Sequence, residues 1–166
     1  TQSRSSAASD VYKRQALCSR IVQHNQQLHA GNPDHEGDAQ LDRVLQQCLN
    51  LAAHDHLVCI VSDFAGTSPR TLQYLRQLAR HNDVIALQVY DPLALELPHN
   101  GRLLVTQGQL QVELAVEQRQ VHRPLGDFLS GRLKDVASLL RRSQVPLMMF
   151  STAQEALGQL LSLIHI

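Results

Sequence analysis

The densest run of apolar positions is Leu57-Val58-Cys59-Ile60-Val61, closed by Ser62 and Asp63. Five apolar residues without helical gaps predict a strand buried on both faces. Before it, apolar positions recur at helical spacing. Leu17, Ile21 and Leu28 predict a helix over 16–29, ended by Gly31-Asn32-Pro33. Leu41, Val44, Leu45, Cys48, Leu49 and Ala52 predict a second over 39–54, with Asp38 as its cap. After the strand, Ser68-Pro69 supplies an N-cap hydroxyl and a proline in the first turn. Leu72, Leu75, Leu78 and Ala79 then form an apolar stripe, and Asn82 is a candidate left-handed stop. Val84 to Tyr90 reads as a second strand, broken by Asp91-Pro92.

The pattern then changes. Arg102 to Thr106 and the alternating run Leu110 to Leu114 flank Gln107-Gly108, which predicts a small hairpin. Residues 117–142 carry helical periodicity, with a kink or restart expected at Pro124. Val145 to Phe150 predicts a third strand, at an edge because of Pro146, and Met148-Met149 reads as core. Thr152 and Glu155 have capping-box spacing for a last helix over 153–160. Strands alternating with helices predict an α/β fold: a Rossmann-like, mostly parallel sheet with helices on both faces and a β-hairpin insertion.

The termini change what counts as protein. Asp10-Val11-Tyr12-Lys13-Arg14-Gln15 can be encoded by a short DNA whose reverse complement translates to Leu161-Ser162-Leu163-Ile164-His165-Ile166. That DNA resembles a transposon end used in preparing sequencing libraries. Residues 1–15 and 161–166 are therefore expected to be adapter-derived, leaving 16–160 as the natural stretch. The whole chain is formally neutral, but Arg4, Lys13 and Arg14 lie in the excluded tail with one acid, Asp10. The remainder is slightly acidic and poor in aromatics, which argues against nucleic acid. No apolar run reaches the length of a membrane span. Cys18, Cys48 and Cys59 form no CxxC pair. Cys48 and Cys59 fall in apolar patterns, as buried thiols of a reducing, cytoplasmic compartment do.

Asp63 is the residue placed where chemistry is expected, because ligands of open α/β sheets bind at the carboxyl ends of the strands. It could be a metal ligand or contact residue there. It could instead cap its own loop. A phospho-acceptor role would need an acidic pair and a lysine that are not visible. Asp91 also follows a strand and could line the same edge, although Asp-Pro is common turn chemistry. Ser62 lacks the Gly-x-Ser-x-Gly elbow of a hydrolase nucleophile, and no glycine-rich phosphate loop occurs. His54-Asp55-His56 lacks a third ligand at fixed spacing and reads as a solvated turn. His24 and His29 are five apart and do not share a helical face. No catalytic residue and no cofactor-binding motif is predicted.

The order of Leu57 to Phe64, then His81-Asn82-Asp83-Val84, Asp91-Pro92 and Glu96-Leu97-Pro98 resembles a bacterial von Willebrand factor A-like domain of unknown function, number fifty-eight. Members are commonly encoded beside MoxR-type AAA ATPases. The resemblance implies a non-catalytic interaction module whose contacts would be Ser62, Asp63 and Asp91, and whose partner would be such an ATPase. It also implies a C-terminal piece of the domain, with the first strand upstream of residue 16. Von Willebrand A domains can hold Mg²⁺ through a D-x-S-x-S loop, a threonine loop and an aspartate after the fourth strand. Only Asp63 matches, with Ser62 beside it. The first loop is absent, no threonine lies between 30 and 40, and Phe64 replaces the usual glycine. Mg²⁺ could thus be held by a full-length parent, and is not expected of this stretch. A membrane anchor would likewise belong to the parent's missing N-terminal region. The alternative is a Rossmann-like α/β enzyme or nucleotide-binding domain acting on a small molecule.

Overall fold

The structure is a computed structural model that describes residues 2–27, 37–107 and 110–164, with side chains at 11–27, 40–105 and 111–162. It divides into two compact units, Thr1–His35 with Thr106–Val112, and Glu36–Val105 with Glu113–Ile166. In the first unit, helix α1 (Gln2–Gln26) begins well before the expected residue 16. Its described side chains, from Val11 onward, are all exposed, so no packing marks a boundary at 16. The stop at residues 31–33, His29 and the turn at residue 108 lie outside the described residues.

The second unit carries the sheet. Helix α2 (Gly37–Leu51) leads to β1 (Leu57–Ser62), α3 (Pro69–His81), β2 (Asp83–Tyr90) and a 3-10 turn, Pro92–Ala94. Then come β3 (Arg102–Gln107), β4 (Leu110–Ala115), α4 (Arg119–Arg142), β5 (Leu147–Ser151) and α5 (Ala156–Ile164). The order β1-β2-β5 is parallel throughout, and β3-β4 make a separate two-stranded sheet, as expected of the hairpin. Arg102 and Glu113 pair across it at 3.1 Å. Helix α4 runs through Pro124 without a break. That proline lies near the start of the helix, where few intrahelical bonds are lost.

The core lies on one side of the sheet. Leu45 of α2, Leu75 and Leu78 of α3, and Val136 and Leu140 of α4 close over Val84 and Ala86, with Phe64 and Val145 completing the cluster. Burying each such leucine stabilises the fold by roughly 1.5–3 kcal/mol. Val58 and Ile60 pair with Val84 and Ala86 and pack against this cluster. The alternate residues of β1 do not: Leu57 and Val61 are 70% and 64% exposed, and Cys59 is exposed too. Three expectations fail together here. β1 is not buried on both faces, Cys59 is not a buried thiol, and helices do not cover both sides of β1. The reason is topological. With the order β1-β2-β5 both crossovers advance in the same direction, so right-handedness puts α3 and α4 on the same side.

Both outer strands of this sheet are edges among the described residues, and the end of β5 is shielded by a side chain. Gln159 of α5 accepts from the Ser151 N–H (2.8 Å) and donates to the Ser151 carbonyl (3.0 Å), so a side-chain amide stands in for a neighbouring strand. Helix α5 starts at Ala156, not after a Thr152 cap, because the Thr152 N–H is drawn to the Tyr90 carbonyl and prolongs the β2–β5 pairing. Met149 is 40% exposed, so the methionine pair is not wholly core. Asn82 ends α3 differently from the expected left-handed stop. Its φ is −139°, and its side chain donates to the Leu78 and Ala52 carbonyls and accepts from the His56 N–H.

Candidate functional site

Because the three strands are parallel, their carboxyl ends open on one rim, which carries Ser62 and Asp63 after β1, Asp91 after β2 and Ser151 on β5. The three sequence-predicted residues do share this rim, and each is tied to its own loop. The Ser62 hydroxyl accepts from the Phe64 N–H at 2.9 Å. Asp63 Oδ1 accepts from the Ala65 N–H at 3.0 Å, and Asp91 Oδ1 from the Leu93 N–H at 2.9 Å. These are side-chain-to-backbone bonds two residues downstream, the device by which Asp and Ser stabilise turns.

Asp63 retains one oxygen for other work. Its Oδ2 lies 3.8 Å from Nη2 of Arg132 on α4, with the two side chains 66% and 46% exposed. An exposed pair at that distance contributes about 0–1 kcal/mol to folding. Both ends stay open to solvent and carry opposite charge. The residues at hand do not fit Mg²⁺ by themselves. Such an ion takes several oxygen ligands in near-octahedral array. Here the Ser62 oxygen and Asp63 Oδ1 already accept backbone bonds, and a guanidinium stands beside Oδ2.

Phe64, at the position where the von Willebrand A resemblance implies a glycine, is accommodated in two ways. Its φ is +54°, the left-handed region that glycine occupies freely and bulky residues avoid. Its ring is 1% exposed and belongs to the core cluster. The backbone thus keeps the turn that re-aims the chain after β1, and ring burial offsets the strain. The aspartate-bearing loop is pinned to the core by the residue beside it.

The most thoroughly bonded carboxylate near this rim is one that the sequence reading passed over. Asp42 of α2 accepts from the Ser68 hydroxyl and from the Thr71 hydroxyl, each at 2.5 Å. Ser68 is also the N-cap of α3, accepting from the Arg70 N–H at 3.0 Å, and Thr71 Oγ1 accepts from the Ser68 N–H at 2.8 Å. A carboxylate at a helix N-terminus is favoured by the helix dipole. No local signal could have found it, since its partners lie 26 and 29 residues away. Gln88 is the opposite case. It is 1% exposed, in register with Ser62, and its Oε1 has no hydrogen-bond partner among the described residues.

His54-Asp55-His56 is the turn expected. His54 Nδ1 meets Asp55 Oδ2 at 2.7 Å, His56 Nδ1 meets the His54 carbonyl at 2.6 Å, and Asp55 takes φ +58°. Among the described residues no group of three His, Cys, Asp or Glu side chains is arranged to hold a metal, and no helix is long and apolar enough to cross a membrane. The family model described as "Protein of unknown function DUF58" matches residues 13–129, from within α1 into α4. No curated protein and no solved structure matches the chain.

Proposed function

The chain belongs to the DUF58 family of proteins of unknown function, and from that premise we propose that it is a non-catalytic, von Willebrand A-like interaction module. Its partner is a MoxR-type AAA ATPase on the cytoplasmic side, and its docking face is the carboxyl rim of the sheet. The observation that carries this reading is the exposed Asp63–Arg132 pair. It presents opposite charges at the place where open parallel sheets receive ligands. The Ser62, Asp63 and Asp91 turns hold that rim in a fixed shape, which lowers the ordering cost of binding. The stretch is the C-terminal part of a longer domain on this reading, and any Mg²⁺ would need ligands from the parent's upstream loop.

The test is co-purification of the full-length parent with the ATPase encoded beside it, using wild type, Asp63→Ala and Arg132→Glu. Recovery should fall in both variants, by about tenfold if one charge-assisted contact is lost. Equal recovery in all three samples would remove the rim from the interface.

A further inference from the structure

The opposite end of the same sheet carries a different kind of surface. Helices α3 and α4 both finish there, since α3 leads into β2 and α4 into β5. Between their carboxyl ends lies an open groove of about 750 Å³, lined by Arg76, Arg80, Arg141 and Arg142, with Gln73 and Gln77 alongside. No acidic residue lines it. Arg76 and Arg80 are four apart on α3 and so share a face, an arrangement of like charges that weakly destabilises a helix.

One of these arginines is fixed in place. Arg76 donates from both Nε and Nη2 to the Arg142 carbonyl, each at 3.2 Å. The neighbouring carbonyls of the last α4 turn are satisfied by backbone. The Gln144 N–H bonds the Arg141 carbonyl and the Val145 N–H bonds the Leu140 carbonyl, both at 3.1 Å, with Gln144 at φ +60°. Among the described residues no ion pair ties Arg80, Arg141 or Arg142 to a carboxylate, although Arg80 also borders a second hollow that Asp55 and Asp83 line. The pairs His54–Asp55, Arg102–Glu113 and Asp63–Arg132 lie outside the groove. In a chain with no net charge, this is a local concentration of cations that the fold does not neutralise.

We propose that this groove binds an acidic peptide segment of a protein partner, its carboxylates pairing with Arg80, Arg141 and Arg142. Guanidinium forks match carboxylates with two parallel bonds, and Arg76, held by the helix end, adds fixed positive potential. The Gln73 and Gln77 amides, each both donor and acceptor, suit a peptide backbone. A single-stranded nucleic acid fits less well. The groove has no aromatic side chain on which a base could stack. The groove and the Asp63 rim lie at opposite ends of the strands, so the proposal stands apart from the function proposed above.

The test is fluorescence anisotropy of a labelled oligoglutamate peptide titrated with the whole chain at low salt. Saturable binding is expected. It should weaken by at least about tenfold in the Arg80→Glu/Arg141→Glu double variant, the loss anticipated when charge-assisted bonds turn repulsive. Both side chains are exposed and make no ion pair among the described residues, and an unchanged thermal transition confirms folding. An Arg119→Glu/Arg123→Glu variant makes the same charge change outside the groove and should bind like wild type. Absence of saturable binding, or equal loss in the two double variants, would overturn the proposal. So would displacement of the peptide by inorganic phosphate or oligothymidylate more readily than by unlabelled oligoglutamate at matched ionic strength.

Discussion

The two ends of the parallel sheet use polar residues in opposite ways. At the carboxyl end, Ser62, Asp63, Asp91, Ser68, Thr71 and Asp42 are hydrogen-bonded to the loops and helix starts around them. At the amino end, four arginines line one groove without a carboxylate. The residues that look chemical in the sequence are thus largely occupied in shaping the fold. The charges left over belong to residues that a helical reading assigns to a solvated face. Substitutions at the carboxyl end should therefore cost stability, and substitutions at the amino end should cost almost none.

The largest effect is expected at Phe64, where rim and core meet. Phe64→Ala should destabilise by about 3–5 kcal/mol through the lost ring. Phe64→Gly should cost about 1 kcal/mol less than Ala, because only glycine adopts φ +54° without strain. Urea unfolding of the three proteins measures both numbers. Equal midpoints for Ala and Gly would mean that the left-handed turn is not imposed on the loop.

Asp42→Ala comes next, at about 2–3 kcal/mol, since two hydroxyl donors lose a charged acceptor and the α3 cap loosens. Asp42→Asn keeps an acceptor oxygen and should recover about half of that loss. A cost for Ala below about 0.5 kcal/mol would place Asp42 with ordinary surface residues.

The element order was legible because it rests on periodicity. The α2 stripe, the Ser68-Pro69 start and the two-residue alternation of the hairpin all follow from local sequence. Burial of β1 was not, since a run of apolar residues does not say whether a neighbour covers each face. Asp63 and Asp91 could be placed on the rim, but their hydrogen bonds decide what they do, and those depend on backbone conformation. Asp42 and the arginine groove were illegible for a common reason. Both arise from helix packing, between α2 and α3 in one case and α3 and α4 in the other, and join residues far apart in the chain. Phe64 stands out in the sequence only against the glycine that the resemblance implies, and the burial of its ring depends on residues far along the chain.

Gln88 is the exception at the carboxyl end, a buried amide oxygen without a partner among the described residues. Gln88→Met keeps the length of the side chain and removes the unsatisfied group. It should raise stability by about 1 kcal/mol, read as a higher urea midpoint at unchanged slope. A loss of similar size would show that the amide is satisfied in solution, and the rule that this end satisfies its polar groups would then hold without exception.

The smallest effect is the most discriminating. Arg80→Gln and Arg141→Gln each remove an exposed cation from a groove that contains no anion. Stability should change by less than about 0.5 kcal/mol, and toward the folded state, because the repulsion relieved among four like charges outweighs the helix-dipole attraction each cation gives up in the last turn of α3 or α4. Repulsion between solvated charges is screened by salt, so the gain should shrink as ionic strength rises. A hidden ion pair would give the reverse: a loss at low salt that diminishes at high salt. Measuring the urea midpoint of wild type and both variants at two salt concentrations separates these outcomes by sign, independent of magnitude. A loss at low salt would mean that the arginines serve the fold as the carboxyl-end residues do, and the contrast between the two ends would disappear.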